Sequence, residues 1–325
     1  MTNNNLMKKH TVPTPYPVGP VHIYEFELNG NTVLFDTGPP TADARRYIEE
    51  NINIKKLDYL FITHFHPDHY GLIRFIEENS KAIITVSKYD ALLYEHREQR
   101  IKFLEECFQS LGFTEEAIER MQAIFPVSPK EHSFANHYRI LEDSSEILLS
   151  LGIEYLSCPG HSQSDIIYLI DHYAVSADVV LREIFQTPLL DFNLHTLEGR
   201  FCNYRAYCET IPKLKSIETR TFLPGHRDYI NSIDDQILFY VGKMIQRAEL
   251  LLPHLKSDMT IFEVVLLLFP NALSVNPFFI YIKTSEILFL KDFLSNPGLL
   301  VKALQNVGIH ANVHSKIEKL EVSFS

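Results

Sequence analysis

Thr63 to Leu72 reads THFHPDHYGL, which places three histidines and an aspartate, His64, His66, His69 and Asp68, within six residues. Imidazole and carboxylate are donors suited to zinc, iron or manganese in a hydrolytic or oxygen-handling site. In His64-Phe65-His66, alternate side chains can point the same way and bind one ion. Asp68 and His69 lie just beyond and face another direction, so one loop can feed two adjacent ions. With His and Asp each at roughly 5%, this pattern arises by chance about six times per million starting positions. A loop of incidental surface histidines is therefore set aside.

One loop cannot complete two coordination shells, so further donors must come from other strand ends. Three residues fit: His161 in CPGHSQSD, Asp178 at the end of YAVSAD, and His226 in FLPGHRD. Taken singly, each reads as an ordinary loop or capping residue. Two Pro-Gly-His turns, each after an apolar strand, reverse that reading. The glycine lets the backbone turn tightly so that the imidazole faces the site.

The elements that must position these donors are legible around them. VHIYEFELNGNTVLFDTG is two strands joined by Asn-Gly, the first alternating and the second a buried run. A charged helix, ADARRYIEENI, leads to LDYLFITHFH, a buried strand that runs directly into the histidine cluster. YGLIRFIEEN suits a helix and AIITVS a further strand, and this alternation indicates an α/β layered fold. From about 88 to 135 helical periodicity takes over, divided at Gly112 and Phe113, with a threonine cap and early glutamates in FTEEAIERM. This reads as a helical insertion able to cover a site, so its removal is expected to change substrate preference more than metal content. Strand character is expected in HYRIL, SEILLSLGIEYLSCPGHS, DIIYLID and YAVSADVVL, then a helix near NYRAYCETIPKLKS and the short strand TRTFLPGH. Residues 1–230 are expected to form the catalytic domain and residues 231–325 a small, mainly helical C-terminal domain. With a strand-like end at HANVHSKIEKLEVS, that second unit reads as winged-helix-like.

The series DTGP, THFHPDH, CPGHS, SAD and LPGH, in that order, resembles the metallo-β-lactamase superfamily over about Val21 to His226. The resemblance implies an αββα sandwich, two mixed sheets with helices outside, and a dinuclear site at one sheet edge. It also implies ligand roles: His64, His66 and His161 for the first metal, Asp68, His69 and His226 for the second, and Asp178 bridging both. Asp36, in DTG, resembles the aspartate that supports the ligand loop. Two divalent ions, zinc first with iron or manganese as alternatives, would share a water and lower its pKa, while one polarises the attacked group. Asp68 has a second, catalytic role to offer, guiding the proton of that water toward the leaving group. Two departures stand out. Ala177 precedes Asp178 where the family often has glycine, and the helical insertion lengthens the segment before His161.

Composition narrows the function. The 325 residues are 46% hydrophobic and 22% charged, the balance of an ordinary globular protein. A net charge of −11 without a run of basic residues argues against a broad nucleic-acid footprint. Cys107, Cys158, Cys202 and Cys208 form no CxxC pair and read as reduced thiols. The start MTNNNLMKKH lacks the apolar stretch of a signal peptide, and no apolar run is long enough to span a bilayer, so a cytoplasmic location without membrane attachment is expected. The leading reading is a metal-dependent hydrolase of a small ester, thioester or related compound. The alternatives are an RNA or nucleotide phosphodiesterase and a non-haem iron oxidoreductase of the same fold. Tyr94, His137, Tyr138, Arg182, His195, Tyr204 and Arg227 are the substrate-contact candidates, Arg227 for a carboxylate or phosphate. The C-terminal unit is read as a packing element or homodimer contact rather than a DNA reader.

Overall fold

Two-residue periodicity decides the architecture, because alternate side chains of a strand face opposite sides of its sheet. The computed structural model describes residues 6–122, 134–255, 258–271 and 277–324, so residues 123–133 of the expected insertion lie outside the described residues. Among the described residues, the first sheet runs in the order β1 (Met7–Val12), β2 (Val21–Leu28), β3 (Asn31–Phe35), β4 (Leu57–Phe61), β5 (Ile83–Val86) and β6 (Arg139–Ile140). Strands β1 to β3 pair antiparallel, and β3 to β6 run parallel. The second sheet contains β7 (Ile153–Ser157), β8 (Ile166–Ile170), β9 (Tyr173–Ala177) and β10 (Thr221–Pro224), in the order β10-β9-β8-β7.

Tyr24, Phe26, Phe35 and Phe61 face inward from the first sheet and meet Tyr168, Ile170, Val175 and Leu223 of the second. Their neighbours Ile23, Leu34 and Leu60 face outward, under α1 (Ala42–Asn51) and, beyond the four-residue α2 (Pro67–Tyr70), α3 (Ile73–Asn79). The helical insertion is present as α4 (Lys88–Glu95), α5 (Arg97–Ser110) and α6 (Glu115–Gln122), and α7 (Ser145–Leu151) precedes β7. On the far side, Ile167, Leu169, Ala174 and Phe222 of the second sheet pack under α8 (Asn203–Ser216) and α9 (Ile233–Leu255). The same apolar cluster takes in α5 and α6 with α10 (Ile261–Leu268), α11 (Pro277–Ser295), α12 (Pro297–Asn306) and α13 (His314–Phe324). The layers are therefore helix, sheet, sheet, helix, with the insertion and the C-terminal helices sharing one core.

Three elements differ from the sequence reading. MKKHTV is an antiparallel strand, β1, whose lysines suit the exposed edge it forms on the sheet. SEILLSL is helix α7 rather than strand, stopped by Gly152 in the left-handed region at φ 71°. The strand-like end is helix α13, because Val313, Ile317 and Leu320 repeat at helical spacing and are buried together. Among the described residues, the C-terminal unit holds no strand after β10.

The two sheets are tied at the edge where the ligand turns emerge. Ile166 N–H donates to Thr63 O at 2.9 Å and the Tyr168 hydroxyl to Ile62 O at 2.8 Å. The Tyr24 hydroxyl donates to Pro224 O at 2.7 Å.

Candidate metal centre

The loop after β4 carries the first donors in extended backbone, and Pro67 then starts α2. This change of conformation separates His64 and His66 from Asp68 and His69. His161 follows β7, Asp178 follows β9 and His226 follows β10, so all three come from the ends of second-sheet strands. Together these side chains form three overlapping donor groups: His64, His66 and His161; His64, His69 and Asp178; Asp68, His69 and His226.

The distances are close to those between neighbouring ligand atoms of one tetrahedral ion, about 3.3 Å for bonds of about 2.0 Å. His66 Nδ1 lies 3.0 Å from His64 Nε2 and 2.9 Å from His161 Nε2. His226 Nε2 is 3.2 Å from Asp68 Oδ2, and His69 Nε2 is 3.3 Å from Asp178 Oδ1. Asp178 Oδ2 stands between the groups, 3.8 Å from His161 Nε2 and 3.7 Å from His226 Nε2.

The opposite edges of the rings set which nitrogen is bare. His69 Nδ1–H donates to Asp36 Oδ2 at 2.8 Å, and His226 Nδ1–H to Pro20 O at 2.8 Å. His64 Nδ1 faces the Thr63 hydroxyl at 3.1 Å, and that hydroxyl donates to Asp36 Oδ2 at 2.7 Å. Each bond leaves the Nε2 lone pair directed at the cluster. His69 Nε2, His226 Nε2 and Asp178 Oδ1 are buried without a hydrogen-bond partner. Orphaned acceptors in a buried cluster are costly unless a cation occupies the space between them, so the donor set fits metal.

Electrostatics sort the same residues. Burial and neighbouring histidines hold His64 well below its ordinary value, and burial with His161 brings His66 to about 3. Burial lowers His161 too, so these three imidazoles are neutral and ready as donors. Burial opposes charge at His69 and His226 as well, yet Asp178 with Asp36 raises the first and Asp178 with Asp68 the second. Against the cost of burial, those imidazoles hold the Asp178 and Asp68 carboxyls down, so both are anionic.

Local backbone explains two residues beside the donors. A Cβ at Gly225 would run into Asp178 Oδ1 and stand 2.7 Å from His69 Cε1. Ala177 adopts φ 42°, a left-handed conformation that glycine takes without the cost a Cβ adds, so its presence before Asp178 stores strain at the site.

The substrate-contact candidates separate. Tyr204 is corrected: its ring is buried, and its hydroxyl donates to Asn296 O and accepts from Leu300 N, which makes it a core residue. His137 is exposed and tied to Glu77 of α3 through its N–H and its ring, at 2.7 and 3.1 Å. Tyr138 and Tyr94 pack on Phe134, which also meets Phe65 between the first two ligands. His195 approaches the Tyr89 hydroxyl at 3.4 Å, and Gln163, two residues after His161, holds this segment through Phe192 O and Leu194 N. Arg182 lies 3.6 Å from Asp228. Arg227 is exposed at φ 65°. Its carbonyl accepts from His22 Nε2 at 2.8 Å, and His22 N–H donates to Gly225 O at 2.6 Å. His22, Thr63 and Gln163 were not singled out in the sequence, because their partners are distant in the chain. A histidine inside the apolar strand VHIYEF was the one local signal.

Residues 16–226 match the model of the metallo-beta-lactamase superfamily. The chain is 24% identical over 276 residues to the probable metallo-hydrolase YqjP of Bacillus subtilis (strain 168), covering 80% of this chain and 83% of that one. A metallo-beta-lactamase family protein from Thermus thermophilus has a similar fold, with TM-score 0.68, 22% identity and coverage of 90% of this chain and 94% of the other. A beta-lactamase domain protein from Burkholderia ambifaria superposes with TM-score 0.70 at 17% identity, covering 90% and 87% of the two chains.

Gly225→Ala is expected to displace Asp178 or His69 and lower metal content while the chain stays folded. Elemental analysis beside a circular dichroism melt checks this, and wild-type metal content would contradict it. His22, lowered to about 4 chiefly by burial and then by Lys9, supplies stability that is present above about pH 6.5 and lost as pH falls toward 4. Melting of the metal-free His22→Gln variant should therefore depend less on pH across that window than wild type. Equal slopes would remove His22 from the acid response.

Proposed function

The chain belongs to the metallo-β-lactamase superfamily, and on that premise we propose that it is a hydrolase of a small ester, thioester or related carbonyl compound. It works through two divalent ions, zinc by preference. The observation that carries this reading is the convergence of seven donor residues in overlapping groups, with bare, buried acceptors aimed between them. In this reading His64, His66 and His161 would hold one ion and Asp68, His69 and His226 the other, with Asp178 available to both. The Bacillus subtilis relative, a probable metallo-hydrolase, agrees with it.

Two bound ions would supply Lewis acidity and a water of lowered pKa. The chain supplies the rest. Asp178, with one oxygen toward His69 and the other between His161 and His226, sets the spacing of the two subsites. Asp68 is anionic and half-buried at the cluster, placed to take the proton of the attacking water and pass it to the leaving group. Asp36 and Pro20 O keep the outer nitrogens of His69 and His226 protonated, so neither ring can turn away. Half-buried Phe65, Tyr94 and Tyr138, packed around Phe134 next to the His64-Phe65-His66 segment, are the apolar groups we assign to an acyl chain. A net charge of −11 favours a small substrate over a polyanion. The four free cysteines support a cytoplasmic setting.

The test is a substrate panel on one preparation of the metal-loaded protein: a thioester, a carboxylic ester, a phosphodiester and a lactam. Thioester or ester turnover that disappears in Asp178→Ala is expected. Turnover of the phosphodiester alone, or wild-type rates in Asp178→Ala, would overturn the assignment.

A further inference from the structure

We propose that Asn203 and Thr210, on one face of α8, are positioning residues for the first metal subsite, holding the two carbonyls that precede His161. The inference rests on the two-ion reading above and goes beyond it, since it gives a part in metal binding to a helix that supplies no donor.

His161 needs outside support more than its neighbours do. His64, His69 and His226 each have the outer ring nitrogen engaged, by the Thr63 hydroxyl, Asp36 and Pro20 O. His161 Nδ1 is buried with no hydrogen-bond partner among the described residues. A ligating imidazole is ordinarily oriented through its second nitrogen. Here the backbone of the turn must set the direction of the ring.

After His161 the turn closes on itself. Asp165 accepts from Ser162 N–H at 2.7 Å and from Ser162 Oγ at 2.6 Å, and its carbonyl accepts from Cys158 N–H at 2.8 Å. Before His161 the turn is held by α8. The Thr210 hydroxyl donates to Pro159 O at 2.8 Å, and Asn203 Nδ2 donates to Gly160 O at 3.1 Å. Seven residues apart, these two side chains share one face of the helix, and both are buried. A threonine inside a helix commonly turns its hydroxyl to the carbonyl four residues back. Thr210 gives its proton to the ligand turn instead. Tyr207 lies between the two on the same face, and a Cβ at Gly160 would stand 3.2 Å from its Cα. The turn therefore rests directly on the helix backbone. The helix is anchored in its turn by the Tyr204 hydroxyl, which donates to Asn296 O at 2.9 Å and accepts from Leu300 N–H at 3.2 Å. Lys213 extends the row to Ser157 O at 2.6 Å, but at an exposed position where water can take its place.

The experiment titrates the metal-free protein with cobalt(II) in competition with a chromophoric chelator, comparing wild type with Thr210→Val, Thr210→Ser, Asn203→Ala and Lys213→Ala. Thr210→Val keeps the shape and removes the donor. It and Asn203→Ala should weaken one of the two equivalents by about tenfold to a hundredfold, with a changed visible spectrum, and leave the other equivalent as it was. Thr210→Ser, which restores the hydroxyl, should recover most of the affinity. Lys213→Ala should bind both ions as wild type does. Wild-type affinities and spectrum in a folded Thr210→Val would overturn this inference alone. Equal loss in Thr210→Ser or in Lys213→Ala would also overturn it, since the effect would then come from general loosening of α8. A wild-type chain that binds no ion would overturn the two-ion reading, and this inference with it.

Discussion

The site depends on one buried carboxylate. Asp36 accepts three hydrogen bonds, from Thr63 N–H at 2.8 Å, the Thr63 hydroxyl at 2.7 Å and His69 Nδ1 at 2.8 Å. Burying a charge costs several kcal/mol, and bonds of roughly 1.5–3 kcal/mol each to a charged acceptor are what offset it. Asp36 itself lies at φ 66°, in the left-handed region that aspartate tolerates better than most residues. That kink at the end of β3 turns its side chain across to the end of β4. From there one group fixes the start of the ligand loop, the orientation of His69 and, through Thr63, that of His64. Every other donor is placed relative to these.

The rest of the molecule brings two sheet edges to this point and keeps them there. Ile166 of the second sheet bonds the backbone of Thr63, and the start of β2 clamps the last ligand turn through Pro20 O and His22. Because the donors come from both sheets, the geometry holds only as well as the sheets stay in register, and the aromatic core of Phe35, Phe61 and Tyr168 between them enforces this. The outer helices act further along the same path. Tyr281 and Ser285 of α11 contact Leu190, Arg100 of α5 pairs with Asp191 at 2.6 Å, and Gln163 then joins this segment to the His161 turn. The insertion and the C-terminal helices are thereby packed against the site from behind.

What was legible in the sequence follows from chain distance. His64, His66, Asp68 and His69 lie in one short loop, and the Pro-Gly-His turns of His161 and His226 carry their own signal, so these candidates could be read without a structure, whereas Asp178 had only its place at a strand end. An α/β layered fold was legible from strands alternating with helices, while the αββα order of its layers came from the family resemblance. The supporting contacts were not: Asp36 to Thr63, His22 to Arg227 and Gln163 to Phe192 join residues whose spacing carries no pattern. Short apolar segments misled for a related reason. SEILLSL could be strand or helix until Gly152 terminated it, and KIEKLEV depended on which face would be buried. Tyr204 looked like a polar group beside the ligands, but its helix turns it into the core toward Asn296.

The central claim is that this cluster holds two ions at once. Elemental analysis of the purified, metal-reconstituted protein, read as equivalents per chain, tests it most directly. The account predicts two equivalents of a divalent metal, removed by a chelator in step with loss of hydrolysis. A chain that saturates at a single equivalent, or that hydrolyses its substrate unchanged after both are removed, would contradict it.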